Sequence, residues 1–295
     1  MNLALLGYPL SHSVSLAMHN VALRQAGLAG WRYDAWPVAP EYLADVVARL
    51  RGEDYAGANV TVPHKEAVIA SLDGLTPVAQ AIGAVNTLLK RDGRLIGHNT
   101  DAAGFLADLF AHGVKLTRGN VLVLGGGSAA RAVVAACARV GAAVRMTARR
   151  PVQAEAFKTL APVTVFDWSP LGFLQASDGV TLVVNTTPLG MSPKTAASPW
   201  PDDVPFPLDA FVYDLVYNPS ETLLVQRARA AGLNADTGLG MLIEQGALAF
   251  ELWTGQCPSR TLMRQAAEKV LGGGGGGKTW SKGGGEPEEG RRKKG

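Results

Sequence analysis

VLVLGGGSAARAVVAACARVGAAVRMTARR, residues 121–150, is the stretch from which the fold of this chain is read. Val121 to Leu124 form a short, continuous apolar run, as expected of a strand covered on both faces. Gly125-x-Gly127-x-x-Ala130 follows at once, and an alanine- and valine-rich helical pattern opens directly behind it. Strand, glycine turn and helix in this order make a dinucleotide-binding unit. Glycines let the backbone approach a pyrophosphate, and the helix N-terminus offers unpaired N–H groups to it. Gly125, Gly126, Gly127, Ser128 and Ala129 are therefore the candidate cofactor contacts. The competing reading is a tight turn whose glycines serve packing alone, and the flanking strand and helix weigh against it.

The next strand of the same unit ends in Thr147-Ala148-Arg149-Arg150-Pro151. A site for NAD typically places Asp or Glu about 20 residues after the glycines, where it bonds the ribose hydroxyls. No carboxylate stands there. Two guanidiniums instead suit a 2′-phosphate through charge-assisted, often bidentate bonds, which favours NADP(H) and makes Arg149 and Arg150 its candidate ligands. Two solvated loop arginines are the bland alternative.

Working outward, short apolar runs alternate with helical patterns along the body, which reads as α/β with a largely parallel sheet. Strands are expected over residues 3–6, 31–36, 58–61 and 84–90, with helices over 14–26 and 41–51. A second series runs through 121–124, 143–147, 181–185 and 211–215. Two sheets, hence two α/β domains with a cleft between them, are the economical reading. Residues 102–110, with Phe105, Leu106, Leu109 and Phe110 at helical spacing, connect the two.

The chain has 295 residues and a formal net charge of +3. All of that excess lies in residues 272–295, with six basic and three acidic residues, so positions 1–271 carry 22 of each sign. A neutral body argues against nucleic-acid capture as the main task. The segment 272–295 has the Gly, Lys and Glu composition of a disordered tail. No run of 18 apolar residues indicates a membrane span, and no basic, apolar leader marks secretion, so a cytoplasmic location is expected. Cys137 and Cys257 lie far apart, and the histidines miss metal-ligand spacings, so no metal is expected.

Polar residues gather where the first-series strands end. Gly7-Tyr8-Pro9-Leu10-Ser11-His12-Ser13-Val14-Ser15 presents hydroxyls just before a helix. Asn59-Val60-Thr61-Val62-Pro63-His64-Lys65 follows another strand. Because Pro63 suits the first turn of a helix, Lys65 is expected in that turn, where the dipole opposes a cation and assists proton transfer. Asn86, in Gly83-Ala84-Val85-Asn86-Thr87, and Asp101, in Gly97-His98-Asn99-Thr100-Asp101, complete the set. Asp101 alone reads as an ordinary N-terminal helix charge. A late helix over 240–253 carries Gln245 on the stripe of Met241, Leu248 and Leu252, and an amide there needs a partner.

These pieces resemble the shikimate dehydrogenases. The matching fragments are GYPLSHSVS, NVTVPHKE, AIGAVNT, GHNTD, GGGSAAR, NTTPLGM, YDLVYNP and GLGMLIEQGALAFELW, in order and spacing from about residue 3 to residue 265. The resemblance implies NADP-dependent, reversible reduction of 3-dehydroshikimate to shikimate, a step of chorismate and aromatic amino acid biosynthesis. It implies a substrate domain over 1–104 completed by C-terminal helices over 240–271, and a Rossmann-type NADP domain over 105–239. Residue by residue, Ser13 and Ser15 would hold the substrate carboxylate. Thr61, Lys65, Asn86 and Asp101 would contact the ring hydroxyls and the reacting oxygen. Lys65 is then the catalytic lysine and Asp101 its partner. Tyr217 and Gln245 match substrate contacts, while Leu215, Gly238 and Met241 match positions near the nicotinamide. The small-molecule substrate is the expected partner, with a homodimer left open. Leu16 replaces the family's usual proline, Ala148-Arg149-Arg150 its usual Asn-Arg-Thr, and Ser128 a common glycine. A relative acting on quinate or with NAD, and a catalytically silent nucleotide binder, are the alternatives.

Overall fold

The computed structural model describes residues 1–10 and 13–272. The expected tail lies outside the described residues, except that Gly272 closes the last helix rather than opening the tail.

The first half of the chain builds a six-stranded sheet from β1 (Asn2–Gly7), β2 (Arg32–Pro37), β3 (Tyr55–Val60), β4 (Gly74–Leu75), β5 (Thr87–Arg91) and β6 (Arg94–His98), in the order β2-β1-β3-β5-β6-β4. Its helices are α1 (Ser15–Gln25), α2 (Leu43–Arg49) and α3 (Pro77–Ile82). Helix α4 (Asp101–Ala111) leads to a second sheet of β7 (Asn120–Leu124), β8 (Ala143–Thr147), β9 (Val163–Phe166), β10 (Leu182–Asn185), β11 (Phe211–Asp214) and β12 (Ala235–Thr237). Around it lie α5 (Ser128–Arg139), α6 (Pro151–Glu155), α7 (Pro170–Ala176) and α8 (Leu223–Ala230), and the chain ends in α9 (Leu239–Thr254) and α10 (Arg260–Gly272).

Every pairing in the second sheet is parallel, in the order β12-β11-β10-β7-β8-β9. From the β9 edge, and in this sheet's own sequence order, that is 3-2-1-4-5-6, the doubly wound arrangement whose switch point lies between β7 and β10. The strand period of two puts Val121 and Val123 on the face packed by α5, and Leu122 and Leu124 against Phe173, Trp200 and Leu224 on the other. Both faces are covered, which is why these strands read as unbroken apolar runs.

The first sheet is mixed rather than largely parallel. β3 pairs antiparallel with β5, and β5 with β6. The expected strand over 84–90 starts at Thr87, leaving Ala84, Val85 and Asn86 in the approach to it. The β5–β6 hairpin turns on Asp92 and Gly93, both at positive φ (51° and 73°), a two-residue Asp-Gly signal. Alternation again separates two cores: Leu3 and Leu5 face α1, α9 and α10, and Ala4 and Leu6 face α2 and the chain ahead of β4.

Helix α9 crosses back to the first sheet, where Trp253 Nε1 donates to the Leu88 carbonyl at 2.9 Å. Its packing on α4 depends on Gly104, because a Cβ there would lie 2.7 Å from the Gln245 amide nitrogen and 2.8 Å from Gln245 Cβ. Both atoms belong to packed helix and cannot swing aside. Gly104→Ala is expected to destabilise the fold by about 1–3 kcal/mol, the usual cost of overpacking, and, on the expectation that Gln245 is a substrate contact, to raise the substrate's KM. Thermal unfolding and steady-state kinetics check both. Among the described residues no helix is long and apolar enough to cross a membrane.

Candidate active site and nucleotide site

Lys65 does not occupy an α-helix. After β3 the chain turns through a cis Val62–Pro63 peptide, and only a short 3₁₀ helix, Ala67–Ser71, follows. No helix dipole therefore acts on this lysine; the Asp101 carboxylate faces its Nζ instead. Lys65 Nζ donates to Asp101 Oδ2 at 2.7 Å, with the side chains only 13% and 7% exposed. A charge-assisted bond of this length is among the stronger polar contacts, and its shelter from water limits screening. The turn is fixed from behind: Val85 N donates to the Lys65 carbonyl at 2.7 Å, and the buried His64 ring bonds the Val38 carbonyl at 2.7 Å.

Asp101 opens α4, as its sequence position requires. Asn99 Oδ1 accepts from the Asp101 and Ala102 amides, satisfying two of the helix's free N–H groups and fixing where the carboxylate starts. Asn86 then ties the group together. Its Nδ2 lies 2.8 Å from Thr100 Oγ1, 2.9 Å from Asp101 Oδ1 and 3.1 Å from Gln245 Oε1. An amide nitrogen has two hydrogens, so three acceptors are one too many. The Thr100 hydroxyl also lies 3.5 Å from Gln245 Oε1 and can donate there, so the four side chains form one shared network. Asn86 is itself held through its carbonyl by Asn59 Nδ2 at 3.1 Å, and Asn59 by the Tyr33 hydroxyl at 2.7 Å.

At the next strand ends, Ser15 begins α1, whose N-terminus has neither a side-chain cap nor an acidic residue in its first turn. Ser13 Oγ accepts from the Ser15 amide at 3.3 Å. The Thr61 amide donates to the Leu6 carbonyl at 2.8 Å and the Tyr8 amide to the Val62 carbonyl at 3.0 Å, so the end of β1 and the Thr61 strand end lie side by side. Ser13 Oγ takes only the first of the helix's free amides, and an N-terminus with no acidic residue and hydroxyls beside it suits a carboxylate.

On the second sheet, Gly125 has φ +104°, a conformation L side chains rarely adopt, and a Cβ would press on Thr187. At Gly127 a Cβ would meet nothing within 4 Å, so space lies open over the loop. Gly127 caps α5 without any side-chain bond, leaving its first N–H groups to a ligand. Arg149 and Arg150 are exposed just past β8, and the buried Thr147 hydroxyl beside them has no partner among the described residues. This lining fits an NADP-type dinucleotide. Gly238 sits directly on Leu215, where any Cβ would strike the Leu215 carbonyl, and Met241 is buried one turn into α9.

The Thr187 side of this loop is organised by Asp214 at the end of β11. Asn185 Nδ2 donates to its Oδ1 at 2.7 Å, Val216 N to the same oxygen at 3.0 Å, and Thr222 Oγ1 to Oδ2 at 2.7 Å. Asn185 Oδ1 in turn accepts from the Thr187 amide at 2.8 Å. Burial outweighs these donors and pushes the Asp214 carboxyl up to about 6. A carboxyl raised on folding favours the folded state below its unfolded value, and that contribution is lost as pH rises through about 6. From pH 4 to pH 7 the loss is on the order of 3 kcal/mol, at about 1.4 kcal/mol per unit. Chemical denaturation of the wild type and Asp214→Asn across this range is expected to show that slope in the wild type alone.

Two family models match the chain: the shikimate dehydrogenase substrate binding domain over residues 5–88, and the shikimate 5′-dehydrogenase C-terminal domain over residues 238–268. The shikimate dehydrogenase (NADP(+)) of Symbiobacterium thermophilum is 43% identical over 277 residues, spanning 91% of this chain and 94% of that protein. The chain belongs to the shikimate dehydrogenase family. A Thermus thermophilus relative of the same name is 44% identical over 269 residues, 91% of this chain and 98% of its own. A crystal structure of shikimate 5-dehydrogenase from that organism, in complex with NADP(H) and shikimate, superposes with TM-score 0.84 and 42% identity, covering 92% of this chain and all of that one.

For a shikimate dehydrogenase fold, then, Lys65, Asn86, Asp101 and Gln245 form one hydrogen-bonded group. Ser13, Ser15 and Thr61 stand at neighbouring strand ends without a bond to that group. Tyr217 packs with Leu239 and Leu242 against the core shared by α1 and α9, and burial raises its hydroxyl's pKa. Leu248 of the Gln245 stripe is half-buried, but Leu252 is exposed at its edge. Two contributors escape the sequence: Asp214 and Thr147. A carboxylate ending an apolar strand in Tyr213-Asp214 is a usable signal for the first; nothing local marks the second.

Proposed function

We propose that this chain catalyses the reversible reduction of 3-dehydroshikimate to shikimate with NADPH, a step toward chorismate and the aromatic amino acids. The observation that carries this reading is the sheltered Lys65–Asp101 pair, 2.7 Å apart and joined through Asn86 to Gln245. When bound, NADPH supplies the hydride to the C3 carbonyl carbon. Lys65, as ammonium, donates a proton to the carbonyl oxygen as its charge develops; in the oxidative direction Nζ takes that proton from the C3 hydroxyl. Asp101 orients the lysine and stabilises its charge. The polar groups around Asn86, together with Thr61 and Tyr217, receive the ring hydroxyls, and Ser13 and Ser15 hold the carboxylate at the α1 N-terminus. Arg149 and Arg150 take the 2′-phosphate, the 125–129 loop the pyrophosphate, and Leu215, Gly238 and Met241 border the nicotinamide.

In this reading residues 1–104 with 240–271 form the substrate domain and 105–239 the NADP domain. A cytoplasmic enzyme goes with it, and sedimentation of the purified chain decides between monomer and homodimer. The reading is tested by adding 3-dehydroshikimate and NADPH to the purified protein. Stoichiometric loss of NADPH with shikimate as product supports it; no consumption of NADPH removes it.

A further inference from the structure

Arg131 stands in the first turn of α5, directly behind the glycine loop, yet its side chain reaches across to the first half of the chain. Its Nη1 donates to the Ile82 carbonyl at 3.3 Å, and its Nε lies 3.3 Å from Glu66 Oε2. The guanidinium also covers the Phe157 ring at 5.7 Å, which stiffens it from the nucleotide side. Each acceptor adjoins a catalytic segment. Glu66 follows Lys65, and Ile82 ends α3, four residues before Asn86. Gly83 between them has φ +69°, and a Cβ there would come 3.1 Å from Arg131 Nη1, so the chain is shaped to admit the guanidinium. The two segments are already joined to each other by the bond from Val85 N to the Lys65 carbonyl.

The Glu66 carboxylate is half-exposed, and an ion pair of that kind adds little to stability. Its value lies in placement, since one side chain grips both segments from the helix whose N-terminus is presented to the pyrophosphate. We infer that Arg131 is a positioning residue that transmits nucleotide binding at the α5 N-terminus to the Lys65 and Asn86 segments, so that the acid/base group is set when the cofactor is in place. This rests on the proposed dehydrogenase reading. Any shift of α5 on binding moves Arg131, and with it the Lys65 turn and the approach to β5. A lysine at this position keeps a charge but not the fork that spans two acceptors.

The test combines turnover with hydrogen exchange in the full-length protein, using NADP⁺ and shikimate as probes. Arg131→Met is expected to lower kcat by about tenfold or more, the scale of a displaced catalytic group, with the KM for NADP⁺ and the melting temperature little changed. Arg131→Lys recovers part of the loss, and Glu66→Gln, which keeps the Ile82 contact, loses less than Arg131→Met. In the wild type NADP⁺ slows amide exchange over residues 65–68 and 83–87; in Arg131→Met that protection disappears while protection over 125–131 remains. Unchanged kcat, a loss confined to the KM for NADP⁺, or retained protection at 65–68 would overturn the inference. A wild type that does not oxidise shikimate would sink the proposed function instead, and the exchange measurement would still decide the arginine's role.

Discussion

Lys65→Ala lowers kcat for shikimate oxidation by roughly 10² or more, with a smaller change in KM, because general acid/base groups contribute on that scale to the chemical step. The variant has a second effect that must be separated from the first. Asp101 is 7% exposed, so removing the ammonium leaves a sheltered carboxylate without its counter-charge. Breaking a buried pair in this way typically costs about 3–5 kcal/mol, and the partial exposure of Lys65 puts this case at the lower end. The double variant Lys65→Ala/Asp101→Asn relieves that cost. Its melting temperature is expected to rise above that of Lys65→Ala while kcat stays as low. Recovery of turnover along with stability would show that the lysine merely holds the fold.

Replacing both Arg149 and Arg150 by alanine is expected to raise the KM for NADP⁺ by about 10²-fold while leaving the KM for NAD⁺ nearly unchanged. Hydrogen bonds to charged groups contribute about 1.5–3 kcal/mol each, and the 2′-phosphate is the one feature by which the two cofactors differ. Both arginines are exposed past the end of β8, so their removal has little effect on the fold. Steady-state kinetics with each cofactor provide the check. An equal rise in both values would mean that the arginines act on a part the two cofactors share.

Much of this was legible in the sequence for local physical reasons. The run 121–130 places strand, glycine loop and helix within ten residues, so its reading needed no distant contact. Asp101 at the start of α4 and Gln245 on the inner side of α9 follow equally from helical spacing. The helix expected at Lys65 is absent: Pro63 is compatible with a helix start, but it lies in a turn that only a 3₁₀ helix follows, and the bond that holds Lys65 comes from Asp101, 36 residues away. The β5–β6 hairpin carried its Asp92-Gly93 signal in plain view, and apolar runs read one by one obscured it. What could not be read is long-range. Asn86 meets Gln245 across 159 residues, and Arg131 meets Ile82 across 49, in each case because separate elements fold together. Asp214 is marked locally as a carboxylate ending an apolar strand, but its bond to Asn185 spans 29 residues and depends on β10 and β11 pairing.

Measuring kcat/KM of the purified protein for shikimate and quinate, each with NADP⁺ and with NAD⁺, tests the central claim most directly. Shikimate with NADP⁺ is expected to exceed each of the other three combinations. A preference for quinate or for NAD⁺, or no reduction of NADP⁺ by shikimate despite measurable nucleotide binding, would contradict it.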